Sequence, residues 1–122
     1  MRVASKDVNA VIESAARTAT HSVTMSTECL GGVFIINVTS VTATPSVVFT
    51  IAGLCPSSSV AYTILESAAI TTTGTTVLRI HPSLTAAANT IAKDVLPQAI
   101  KITATHADAD SITYSVGFVG VN

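Results

Sequence analysis

The side chains with most chemistry to offer are Cys29, Cys55, the histidines His21, His81 and His106, and the paired aspartates Asp108 and Asp110. Their spacing assembles no familiar centre. Two distant cysteines without clustered histidines do not make the ligand set of a structural zinc site, and in a reducing compartment they read as two buried thiols acting as small apolar residues. His106 with Asp108 and Asp110 resembles a calcium loop only faintly, because the later Gly and Glu ligands are missing, and aspartates here suit a hairpin turn. Serine is abundant, yet there is no Gly-x-Ser-x-Gly elbow, no Gly-rich phosphate loop and no Cys–His nucleophile pairing. With no Trp and only 4% aromatic residues, a stacking platform for sugars or bases is poorly supplied. The sequence points away from an enzyme. No catalytic, cofactor-binding or metal-ligating residue is expected.

The elements that would position any site are better marked. In 122 residues there are 19 Thr, 15 Val and 11 Ile, all β-branched, stiff at χ1 and suited to a pleated, half-buried surface. Hydrophobic residues make up 48%, against disorder, and a net charge of −1 argues against an electrostatic nucleic-acid binder. The longest aliphatic or aromatic run, Val33-Phe34-Ile35-Ile36, is far below the ~18 residues of a membrane span. Asp7 and Glu13 interrupt the apolar core a signal peptide would need, so cytoplasmic synthesis is expected and the sequon Asn37-Val38-Thr39 reads as ordinary strand.

Charge is uneven as well as scarce. Every residue from Cys29 to Leu65 is uncharged. A free monomer places charges on strand faces and edges to discourage association, so this tract reads either as a Thr-rich exposed sheet or, the preferred reading, as surface partly covered by other protein. Arg2, Lys6 and Arg17 instead cluster in the first 17 positions and mark a candidate partner-contacting arm.

Period-two alternation predicts strands at Val47, Phe49, Ile51; at Val60, Tyr62, Ile64; at Leu78, Ile80; at Ile100, Ile102, Ala104; and at Ile112, Tyr114, Val116, Phe118. The run 33–43 reads as a central strand. Hairpins are expected about Thr44-Pro45, about Thr73-Gly74 (joining 69–72 to 75–81) and across 107–111. The first of these would set Cys55 near Phe34. Residues 84–95 fit either a short helix or a packed loop. Residues 7–16 fit either a helix capped by Asp7 or an extended arm leading into a first strand, and the arm is the preferred reading. The expected fold is all-β: a two-sheet antiparallel β-sandwich, jelly-roll-like, of seven or eight short strands, with an arm or first strand in 1–20 and the sandwich domain in 21–122.

Across 32–122 the chain resembles small structural proteins of tailed bacteriophages and prophages. The resemblance is carried by Val-Phe-Ile-Ile-Asn-Val-Thr at 33–39, Thr-Pro-Ser and its strand at 44–51, and Tyr62-Thr63-Ile64-Leu65 with Ser67-Ala68-Ala69-Ile70. Thr73-Gly74-Thr75-Thr76-Val77-Leu78-Arg79, Leu84-Thr85-Ala86-Ala87-Ala88-Asn89-Thr90, Leu96-Pro97 and Ser111-Ile112-Thr113-Tyr114-Ser115-Val116 complete it. Cys29, Cys55 and His81 before Pro82 depart from that pattern. The resemblance implies a virion component at the capsid surface, a decoration or cement protein that bridges major capsid subunits. Its implied partners are the major capsid protein and itself, as homodimer or homotrimer, with no nucleic acid and no membrane. The alternatives are a tail, head–tail connector or fibre-associated protein or, in another class, a small ligand- or glycan-binding β-sandwich.

Overall fold

Alternating β-branched residues become strands over most of the chain. A computed structural model describes residues 5–122, with side chains from Ala10 onward. Among these residues there are nine strands and no helix: β1 (Ser5–Arg17), β2 (His21–Ser26), β3 (Gly31–Val41), β4 (Val47–Leu54), β5 (Ala61–Glu66), β6 (Gly74–Ile80), β7 (Ile91–Ala92), β8 (Ala99–His106) and β9 (Ile112–Val121). One sheet has the order β1-β9-β3-β6-β7 and the other β2-β8-β4-β5. Every pairing is antiparallel except the two-residue β7 on β6. Apart from β7, successive strands alternate between the sheets at every step but β4 to β5, which is jelly-roll connectivity. The expected sandwich is the observed fold.

The expected hairpins are not observed. β3 and β4 lie in opposite sheets, as do β8 and β9. Residues 42–46 and 107–111 are five-residue links, long enough to cross the ~10 Å between sheets, whereas a two-residue turn would have forced adjacent pairing. Alternation records which face is buried and is blind to whether the next strand lies beside or opposite. Without the β3–β4 hairpin, the inferred approach of Cys55 to Phe34 loses its basis. Segment 69–72 forms no strand against β6; it contributes a single bridge, Ile70 to Val47. Residues 84–95 are a loop containing β7. In the amino-terminal segment, residues 1–4 lie outside those described, and Ser5–Arg17 pairs along β9 from Val121 to Ile112 as a strand, neither helix nor free arm.

The inward faces meet in one core. Phe34, Phe49, Tyr114 and Phe118 are all fully buried. Phe34 and Phe118 stand opposite each other on β3 and β9 with centroids 4.9 Å apart. Phe49 meets Tyr114 edge-on at 5.0 Å, linking the two sheets. Such pairs add ~0.5–1.5 kcal/mol beyond their burial. Gly32 and Gly120, also opposite each other, clear room for Phe118: a Cβ at Gly32 would collide with its ring, and one at Gly120 would meet the ring edge and Cys29 Sγ. Here glycine in a strand marks close packing.

Candidate functional site

Strand directions sort the loops into two ends. At one end lie the β2–β3 link (27–30), the β4–β5 turn (55–60) and the later part of the β6–β8 connection; at the other lie the β1–β2, β3–β4, β5–β6 and β8–β9 links. The two ends differ sharply in chemistry.

The first end carries the exposed large hydrophobic residues among polar ones such as Ser57, Ser58 and Gln98. Four large hydrophobic residues are exposed among those described, Leu30 (43%), Val60 (62%), Tyr62 (49%) and Val95 (51%), and all four lie here. Main-chain hydrogen bonds hold the patch together: Leu96 N–H donates to Leu30 O at 2.9 Å, and Thr27 N–H to Gln98 O at 2.9 Å. Cys55 N–H donates to Val60 O at 2.9 Å, closing the β4–β5 turn. Tyr62 lies across Gly53 beside Pro97, where a Cβ on Gly53 would strike its ring. Leu96 is buried and anchors the loop that displays Val95. Three of the four exposed residues fall in the uncharged tract, and charge enters only through neighbours such as Glu28, Lys93 and Asp94.

The opposite end is polar, and most of its polar groups bond to one another. The buried Tyr114 hydroxyl sits 3.0 Å from His106 Nε2. The Arg17 guanidinium lies over the Tyr114 ring, 4.9 Å from its centroid, and donates to the carbonyls of Glu13 (2.9 Å), Tyr114 (3.2 Å) and Ala15 (3.3 Å). Burial pushes the Tyr114 hydroxyl up and the His106 ring down; nearby Asp108 opposes the shift of His106, and Arg17 and His21 reinforce it. His106 Nδ1 is buried with no partner among the described residues. Asp110 accepts from Thr44 N–H at 3.1 Å, tying the β3–β4 link to the β8–β9 link, and Asp108 accepts from Asp110 N–H at 3.0 Å within the latter. Among the described residues no group of three or more His, Cys, Asp or Glu side chains is placed to hold a metal ion.

Two local arrangements resemble nucleophile chemistry. His81 Nδ1 lies 2.7 Å from Ser83 Oγ, beside a groove of about 300 Å³ lined by Val33, Ile80, Leu84 and Val121. The same Nδ1 accepts from Ser83 N–H at 3.1 Å, and among the described residues nothing hydrogen-bonds Nε2 to orient the ring as a base. This is a turn cap. Cys55 is partly exposed, not buried as its sequence context implied. Hydrogen bonds from Ser57 and Ser58 lower its thiol to about 6. Cys29 is buried against Gly120.

The basic residues of the expected arm are separated. Arg2 lies outside the described residues and the side chain of Lys6 is not described. Lys6 and Arg17 are near opposite ends of β1, which runs along β9 from Val121 to Ile112, and so lie roughly 30 Å apart at ~3.3 Å per residue of β9. Arg17 is fixed at the polar end. Sequence reasoning missed the Leu30–Val95 patch, although both residues stand outside the alternating stretches, next to Gly31 or close before Pro97. It also read His21 and His106 as unrelated, whereas β2–β8 pairing sets His21 opposite Ala104, two positions from His106.

Comparison of the chain with protein-family models, curated proteins and solved structures finds no match.

Proposed function

We propose that this protein is a structural component of a tailed-phage virion that decorates the outer capsid shell and cements neighbouring major capsid subunits. The observation that carries the reading is the gathering, at one end of a jelly roll, of the four large apolar side chains that are exposed among the described residues, three of them within an uncharged tract. A lone soluble domain gains nothing from such a patch; a protein seated on another protein does. Covering four half-exposed side chains is worth ~1 kcal/mol each, about 4 kcal/mol per copy, of the same order as the cost of association. Binding on this scale holds only through repeated or linked contacts, which a shell of identical subunits provides. A ligand that binds the assembled shell and not free subunits shifts assembly toward the shell.

Arg17 takes no part in shell contact in this reading, because Tyr114 and three carbonyls already hold it. Arg2 and Lys6 keep the partner-contacting role, Lys6 from the start of strand β1 and not from a free arm. The test is quantitative peptide mass spectrometry of purified virions. Copy number in fixed proportion to the major capsid protein is the expected result. Absence from virions, or a number fitting a single ring at the head–tail junction, overturns the proposal.

A further inference from the structure

Each sheet has two edges, and three of the four are guarded. Pairing of β1 with β9 shifts register at three places. β5 carries a bulge opposite Ile51/Ala52, and Asn89 Nδ2 donates to Glu66 O at its end (3.1 Å). β7 is two residues long. Bulges, short strands and covering loops are the usual devices against edge-to-edge pairing. β2 has none of them: it pairs with β8 in unbroken register from His21 to Ser26, with no Pro, Gly, Lys, Arg, Asp or Glu.

The direction of its free backbone groups follows from the ladder. Thr27 N–H donates to Gln98 O, continuing the β2–β8 register, so the odd-numbered residues of β2 bond to β8. The N–H and C=O groups of Ser22, Thr24 and Ser26 therefore face outward, and no described residue bonds to them. Val23 and Met25 point inward, pack against the core and stay only partly buried, while Ile102 and Ile100, opposite them on β8, are fully buried.

We propose that β2 pairs antiparallel with β2 of a second copy about a two-fold axis at Thr24, joining two four-stranded sheets into one of eight strands. The strand is self-complementary in this register. Ser22 stands opposite Ser26 of the second copy and Thr24 opposite itself, pairing three outward-facing residues on each side through six main-chain hydrogen bonds. Val23 meets Met25 of the other copy on the inner face, covering what is left open of two partly buried apolar residues. Registers shifted by two residues lose one of the three pairs; shifts by one set inner against outer side chains. Such an interface is isologous and closed, so pairing stops at two copies. It stands on strand geometry alone and holds whatever the apolar end binds.

The test is the mass of the full chain in solution, by sedimentation equilibrium over a concentration series, without capsids present. Wild type is expected at twice the 12.4 kDa chain mass. Thr24→Pro removes a central N–H from the open edge and no bond to β8, and should yield monomer with an unchanged circular dichroism spectrum. A second pair checks the register without straining the backbone. Ser22→Glu with Ser26→Glu opposes like charges twice and should weaken dimerisation at least tenfold, whereas Ser22→Lys with Ser26→Glu opposes unlike charges and should leave it intact. A wild type of single-chain mass at every concentration, a trimer, or equal behaviour of the two double variants overturns the proposal.

Discussion

Replacing Gly32 by Ala adds one methyl group where the structure has no room. The new Cβ would overlap Phe118 Cε1 and approach Cζ to 2.9 Å. The ring cannot withdraw freely, because Phe34 packs against it with centroids 4.9 Å apart and the side chain is almost wholly buried. Overpacking of this kind costs ~1–3 kcal/mol. Phe118→Leu removes ring atoms from a site that is 1% exposed and costs ~1–3 kcal/mol on its own, less than the ~3–5 of truncation to Ala. The two costs share one space, so the double variant should be more stable than their sum predicts by ~1 kcal/mol or more. Urea unfolding of the four proteins at one fixed protein concentration closes the cycle. Additive costs would show that Phe118 does not occupy the space above Gly32, and the packing of β9 against β3 described above would be wrong.

Four further outcomes are expected. Tyr114→Phe should cost ~1 kcal/mol in unfolding experiments, since it removes one hydroxyl–imidazole hydrogen bond while keeping the ring against Phe49 and Arg17. Burial lowers the native pKa of His106, so between the ordinary ~6.5 and that lower value the unfolded chain binds more protons. Its contribution is whole above that range and is lost as pH falls, so His106→Asn should flatten the acid side of a melting-temperature profile, and an unchanged slope would contradict the assignment. Iodoacetamide should label native protein quickly at Cys55, with a pH midpoint near its lowered value of about 6, and reach Cys29 only after denaturation; Ser57→Ala should move that midpoint upward. Arg2→Glu with Lys6→Glu should weaken shell binding and its salt dependence in a pelleting assay, while Arg17→Glu should lower thermal stability instead.

Much of the fold was legible because burial of one face imposes a period of two. Val47, Phe49 and Ile51, and Ile112 through Phe118, announce their inward sides in the sequence, and those sides are buried. Strand partners were not legible. The links at 42–46 and 107–111 carry turn residues that serve equally in a hairpin or a crossing, and only cooperative packing of both sheets on Phe34, Phe49, Tyr114 and Phe118 selects the crossing. The apolar end was hidden for a similar reason. Leu30, Val60 and Val95 have the composition of core residues, and nothing local records that Gly31, Pro56 and Pro97 turn the chain where no second layer covers them. The open edge of β2 depends on what β1, β5 and β7 do instead, a comparison available only once the sheets exist.

The shell-binding reading rests on the patch formed by Leu30, Val60, Tyr62 and Val95. Its most direct measurement is a binding isotherm of purified protein on cognate capsids that lack it, for wild type and for Leu30→Asp with Val95→Asp. Both positions are exposed, so the double variant should keep the wild-type melting temperature and solution mass. Saturable wild-type binding, weakened at least tenfold in the double variant, is the predicted result. Equal binding by the two proteins, or none by wild type, would contradict it.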